Sequence, residues 1–257
     1  MMAYMKRAGS RPGRMIFAPL LTLLVFSLPS CSNILKSPVV TPTATSALTP
    51  TPTQTPTVTP TAAYTEWPQV VMETFDEPSE AWHIGEVNSD LVKGTVKVDG
   101  GKLYVKLTAK KSVFYPIGPE MDDLLDEYVS VKVDQWDGSK TAEYGIVLRA
   151  NSGSMYFFGI STVARGYRFL KSNAETGWED LTLWTNNSGI LPGEPNRIAV
   201  KALGPQFAFF INGEAVDDAK DNSSAAGIAG VGIMLAKAGD WVEMTFDNFE
   251  VRAPLTD

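Results

Sequence analysis

Tyr144-Gly145-Ile146-Val147-Leu148-Arg149, followed by Tyr156-Phe157-Phe158-Gly159-Ile160, is the part of the chain that decides the fold. Both runs are rich in β-branched and aromatic residues, the composition of strands. Successive side chains of a strand point to opposite faces. Ile146 and Leu148 therefore share a side with Tyr156, Phe158 and Ile160, and with Tyr167 and Phe169 of the next run. That side is predicted to be buried between two sheets. The other side carries Gly145, Val147, Arg149, Phe157, Gly159, Ser161, Arg168 and Leu170.

The same pattern extends outward. Residues 94–98 and 103–109 flank Asp99-Gly100-Gly101, a hairpin turn in which glycine supplies positive φ at little cost. Further strands are predicted at 128–133, 143–150, 154–162, 167–171 and 178–184, then at 197–202 and 207–211. A short one at 214–216 follows the Asn212-Gly213 turn, and 228–235 and 242–251 complete the set. The nearest approach to a helix is a single amphipathic turn at 120–127, carried by Met121, Leu124 and Leu125. So many strands without alternating helices predict an all-β domain over 67–257, built as a two-sheet antiparallel sandwich.

The first 66 residues have a different character. Lys6, Arg7, Arg11 and Arg14 form a basic patch without any acid, and an apolar run follows at 15–28. This is the layout of a secretory signal, and the run is shorter than the roughly 18 residues of a membrane-spanning helix. At 38–61 the chain is almost entirely Thr, Pro, Ala, Val and Ser, with Thr-Pro steps at Thr41, Thr49, Thr51, Thr55 and Thr59. Proline fixes φ, removes an amide donor and pushes its predecessor to extended angles, so an extended, polyproline-like stalk is expected. At ~3.1 Å per residue, such a stretch, within a linker over 31–66, could hold the domain on the order of 100 Å from a lipid anchor.

The chain holds 22 basic and 29 acidic residues; removing residues 1–30 would leave 18 against 29, a net charge of −11. That balance argues against nucleic acid, whose phosphates need basic patches, and against attraction to anionic head groups. The one cysteine, Cys31, leaves no disulfide to hold the domain, which must rely on its core.

Leu28, Ser30 and Cys31 resemble the lipobox of bacterial lipoproteins, with Pro29 standing where that family usually has Ala, Ser or Thr. The resemblance implies cleavage before Cys31, a diacylglyceryl thioether on its sulfur, and an extracytoplasmic protein anchored to the bacterial membrane by lipid. The alternative is an ordinary secretory signal with an incidental cysteine. In the domain, Glu73-Thr74-Phe75-Asp76 and Trp82 are followed by the two runs quoted first. Asn196-Arg197-Ile198, Ile211-Asn212-Gly213-Glu214 and Phe246-Asp247-Asn248-Phe249 come later. Their order resembles concanavalin A-like or laminin G-like jelly-roll domains, which implies that fold over most of 73–252. It says little of the ligand, since lectins, glycosidases and adhesion modules share it.

In jelly-roll lectins and glucanases a sugar chain lies on the concave sheet, so the second face, with Arg149, Phe157 and Arg168, is a candidate ligand site. Its glycines would let a ligand approach the backbone, and guanidinium groups donate to hydroxyls or carboxylates. Alternatively, it is a solvated strand face. Trp178, Asp180, Thr182 and Trp184 fall on one side of a strand, where indoles could stack on sugar rings or serve as core and rim packing. Glu73, Asp76 and Asp247 match the strand ends at which related jelly rolls hold a structural calcium; the alternative is that they only form turns.

Catalytic patterns are weaker. Family-16 glycosidases carry Glu-x-Asp-x-x-Glu, or a version one residue shorter, on a central strand. After Glu120 and Asp122 the third carboxylate would fall at Leu124 or Leu125, so the motif fails and these acids read as solvated. The layout also resembles 3-keto-disaccharide hydrolase-like domains, without a motif to carry their chemistry. His83, the one histidine, has no Gly-x-Ser-x-Gly partner, and zinc-ligand spacing is absent. Three functions follow as expectations: a domain that binds carbohydrate or another surface ligand, a divergent glycoside hydrolase, or a structural part of a cell-surface assembly.

Overall fold

The computed structural model describes residues 67–77, 81–173, 175, 177–223 and 226–255, with 134–136 described by their backbone alone. The predicted leader, Cys31 and the stalk lie outside the described residues. In chain order the strands are β1 (Gln69–Glu73), β2 (Gly85–Asn88), β3 (Val92–Val98), β4 (Leu103–Ala109), β5 (Val113–Ile117), β6 (Glu127–Gly138), β7 (Glu143–Ala150) and β8 (Ser154–Ser161). They continue as β9 (Gly166–Asn173), β10 (Gly177–Asn186), β11 (Asn196–Leu203), β12 (Gln206–Ile211), β13 (Glu214–Lys220), β14 (Ile228–Leu235) and β15 (Trp241–Arg252). No helix occurs among the described residues.

All pairings are antiparallel and form two sheets. One runs β13-β12-β11-β6-β15-β4-β3-β2, with β1 also paired to β15; the other runs β10-β9-β8-β7-β14-β5. The long β15 serves two partners on one side: its first half pairs β4, and its last residues pair β1, with Glu73 opposite Phe249. The Asp99 turn closes β3 on β4 as predicted, with Gly100 and Gly101 both at positive φ.

Ile146, Leu148, Tyr156, Phe158, Ile160, Tyr167 and Phe169 all lie in the core between the sheets. Aromatic side chains of β8 and β9 meet those of β12 there: Phe158 stacks on Phe209 at 4.7 Å and Phe169 meets Phe207 at 5.0 Å. Each such ring contributes about 1.5–3 kcal/mol through burial, which suffices to bind the sheets without a disulfide.

The sequence did not predict β1, β2 and β5. The first two are short and largely exposed, and Pro116 argues against a strand in β5; the structure tolerates it because β5 is an edge. Nor does 120–127 make a helical turn. It runs extended beside the chain before β14, where Leu124 and Gly227 exchange backbone hydrogen bonds of 2.9 and 3.1 Å. The reading of its acids as solvated is corrected at its end: Asp126 accepts the Gly204 amide at 2.7 Å, and Glu127 is fully buried.

The turn after β13 is held by one carboxylate. Asp221 accepts from Tyr156 Oη at 2.6 Å, from Lys171 Nζ at 3.1 Å, and from the amide and hydroxyl of Ser223. Burial alone would raise its pKa, but the bonds from Ser223, Tyr156 and Lys171 outweigh that and hold it far below the usual carboxylate range. A depressed folded-state pKa makes this stabilisation complete above about pH 4 and lost as pH falls toward the folded value. Asp221→Asn should therefore cost about 1–3 kcal/mol at pH 7 and lessen the acid sensitivity, as read by urea melts from pH 2 to 7.

Candidate functional site

The register places Glu143, Gly145 and Val147 of β7 on the side of the six-stranded sheet that faces away from the core. Gly145 pairs with Gly159, Val147 with Phe157, Gly159 with Arg168, Phe157 with Leu170, and Leu170 with Asp180. On the other flank Gly232 and Met234 of β14 pair with Gly145 and Glu143, and Met234 pairs with Phe114 of β5. β5 and β10 are opposite edges of this sheet, five steps of about 4.8 Å apart if flat. Yet Phe114 and Trp178 touch, with ring centroids 4.8 Å apart, and both lie on Phe157. The sheet must curl toward this side, which makes it the concave face.

Its middle is apolar. Val147, Phe157 and Leu170 form a second buried cluster, against which Phe114, Met155 and Met234 pack. Phe157 sits on the predicted face but is fully buried, which corrects its expected role as a direct ligand contact. The reason lies in the glycines. A Cβ on Gly159 would come within 2.5 Å of the Phe157 ring, and one on Gly232 within 2.5 Å of the Phe114 ring. The space that glycine leaves on the floor is filled by the protein's own rings.

Beside this cluster lies a charged set. Arg168 donates through Nε to Glu143 Oε2 at 2.8 Å and through Nη2 to Glu143 Oε1 at 2.7 Å, while Nη1 reaches Asp180 Oδ1 at 3.4 Å. Partial burial opposes the Arg168 charge, but the bonds to Glu143 and the charges of Glu143 and Asp180 outweigh it and keep the pKa above the ordinary value. Glu143 is 11% exposed in its side chain, and Asp180 is 45% exposed.

The predicted tryptophans stand at the rim. Two register shifts in β10, between Asp180 and Thr182 and between Thr182 and Thr185, break the expected alternation. Thr182 Oγ1 instead accepts the Phe169 amide at 2.9 Å. Both indoles nevertheless end on the concave side. Trp178 rests on Phe114, and Trp184 covers Gly166, where a Cβ would meet its ring at 2.5 Å. Each is 39% exposed.

Arg149 is a correction. It was expected beside Arg168, but it is 1% exposed and turned into the protein. β14 pairs Ile228 with Ala150 and Gly230 with Val147, so β7 carries an extra residue there, and Arg149 takes φ 48°. Such a bulge interrupts alternation and redirects a side chain. Arg149 donates to Leu125 O at 2.8 Å and to Gly204 O at 2.7 Å, with its guanidinium 4.9 Å from the Phe207 ring centre. Burial pushes the neighbouring Glu127 carboxyl up to about 8 despite the Arg149 charge.

The proposed calcium ligands are placed separately. Glu73 Oε1 accepts the Phe75 amide at 2.9 Å, Asp76 lies by Gly101, and Asp247 faces Lys132 at 3.9 Å. Among the described residues no three His, Cys, Asp or Glu side chains gather into a metal-binding group. These carboxylates alone therefore do not fit a calcium cage. His83 is exposed beside a groove of about 410 Å³ with Tyr115, Pro116, Glu120 and Met121 in its walls.

Sequence reasoning missed Glu143, Phe114 and Met234. Glu143 was legible in principle, two residues before Gly145 on a strand whose bounds were predicted. Phe114 was hidden with its strand, and Met234 gains its place only through the curl.

This geometry gives the domain a concanavalin A-like jelly-roll fold. No protein-family model matches the chain, and no curated protein matches it. Solved structures do. A prokaryotic β-1,3-1,4-glucanase (lichenase) from a mouse hindgut metagenome aligns with a TM-score of 0.52 and 11% identity, over 72% of this chain and 99% of that one. The catalytic domain of an endo-1,3-β-glucanase (laminarinase) from Thermotoga petrophila aligns at 0.53 and 8% identity, over 74% and 99%. An endo-acting O-glycanase of the human gut microbiota aligns at 0.53 and 10% identity, over 73% and 100%.

Proposed function

We propose that the domain binds carbohydrate on the concave face of its six-stranded sheet, and that it does so at the cell surface, held by lipid on Cys31 and extended by the Thr/Pro stalk. The observation that carries the binding reading is the pair of half-exposed indoles, Trp178 and Trp184, set on one edge strand with Asp180 and Arg168 between them. Flat aromatic faces take the apolar faces of sugar rings, and the polar groups between them read hydroxyls. The glucanases and O-glycanase with this fold act on glycans, which agrees with the reading. The anchoring part is supported by the lipobox-like 28–31 stretch and the composition of 38–61.

Hydrolysis is less well supported by the same face. Retaining glycosidases use two carboxyl groups about 5–5.5 Å apart, free to attack and to protonate. Here both oxygens of Glu143 are bound by Arg168, and the next concave-facing positions of β7 are Gly145 and Val147. Release of reducing sugar from a bound polysaccharide would overturn the binding-only reading.

Binding is tested by affinity electrophoresis and a glycan array. Trp178→Ala and Trp184→Ala should each weaken binding about tenfold, the loss of one stacking contact of about 1.4 kcal/mol. Unchanged binding in both variants would remove the concave face from consideration. The run is repeated with a chelator. A calcium ion near β1 and β15 would need most of its ligands from backbone carbonyls, and a fall in melting temperature on chelation would establish it.

A further inference from the structure

The charges on the concave face form a closed set. Three of the five N–H donors of a guanidinium are spent on Glu143 and Asp180 at the distances given above, and Nη2 also lies 3.4 Å from Met234 Sδ. One cation thus faces two carboxylates, leaving a local excess of negative charge, and the chain as a whole carries −7. From the bound state of Arg168 we infer that this face selects uncharged glycans and rejects those bearing uronate, sialate or sulfate groups. The inference rests on the carbohydrate-binding reading and adds its substrate class.

An anionic sugar entering between the two indoles has two ways to settle. It can take Arg168 for itself, which strips Glu143 of the partner for both its oxygens and leaves a mostly buried carboxylate unpaired. Alternatively, it can stay unpaired next to Glu143 and Asp180 and meet two like charges. Each course costs several times what a surface ion pair returns. A neutral hydroxyl meets neither difficulty. It can donate to Asp180, whose carboxylate is nearly half exposed, or accept an unspent guanidinium N–H. From sequence Arg168 could donate to hydroxyls or carboxylates alike, and its neutralisation in place by Glu143 disfavours the carboxylates.

The test uses the purified chain in affinity electrophoresis at low salt. The neutral probes are β-1,3-glucan, mixed-linkage β-1,3-1,4-glucan and galactan; the acidic ones are polygalacturonate and alginate. The expected result is retention by at least one neutral polysaccharide and at least tenfold weaker retention by both acidic ones. Glu143→Gln keeps the shape of the side chain and releases the Arg168 charge, so it should narrow the gap between acidic and neutral probes at least tenfold. Asp180→Asn, at an exposed position, should shift it in the same direction by less and serves if Glu143→Gln does not fold. Equal retention of acidic and neutral probes by the wild type would overturn the selectivity and leave carbohydrate binding standing. A gap unchanged in the folded variants would do the same. Retention by no probe, in wild type or variants, would overturn both.

Discussion

Arg149→Ala is expected to destabilise the domain by about 3–6 kcal/mol, two hydrogen bonds from a charged donor at about 1.5–3 kcal/mol each. Two backbone carbonyls, Leu125 O and Gly204 O, lose their donor, and the space against Phe207 is emptied. Arg149→Lys should recover only part of the loss, because an ammonium cannot span two carbonyls as a planar guanidinium does. Urea melts of the three proteins check this. A loss under 1 kcal/mol in Arg149→Ala would show that the bulge in β7 forms without its side chain. Where the alanine variant remains folded at 10 °C, its glycan binding should match the wild type, since Arg149 is not on the concave face.

The second large effect concerns Glu127. Its folded-state pKa of about 8 lies well above the value near 4.3 of an unfolded glutamate. Between those values the folded chain holds a proton that the unfolded chain has released, so stability falls as pH rises through this window. At 1.36 kcal/mol per pKa unit, the fall between pH 4.5 and 7 is on the order of 3 kcal/mol. Glu127→Gln places a neutral group of the same shape there at every pH and should flatten this slope. The check is a set of melts from pH 4.5 to 8.5. Parallel stability curves for wild type and Glu127→Gln would mean that Glu127 is ionised throughout and fully compensated by Arg149. The slope runs opposite to that of Asp221, which acts below about pH 4, so these two carboxyls together favour a stability maximum near pH 4.

How much of this was legible in the sequence depends on the residue. The alternation in 143–150 and 154–162 is unbroken over most of its length, so it gave both the strands and their buried faces. Sheet architecture followed from the number of strands. The site was less legible because each of its features arises where alternation stops. One extra residue in β7 sends Arg149 inward; two slips in β10 leave Trp178 and Trp184 on the same side by a route that simple counting would not predict. Gly159 looks from sequence like a gap for a ligand, and only the packed Phe157 ring shows that the gap is taken. Glu143 illustrates the remaining limit: its pairing with Arg168 spans two strand steps and depends on register, which no local pattern encodes.

The same irregularities have a consequence for the molecule among its own copies. The lipid anchoring proposed above would hold many such domains at high local density, and free strand edges are where sheets of neighbouring molecules join. Here β10 is slipped twice, β5 carries Pro116, β2 has only four residues, and β13 presents Asp217 and Asp218 beside its own register shift. These four strands are poor templates for another, which disfavours edge-to-edge joining of crowded domains.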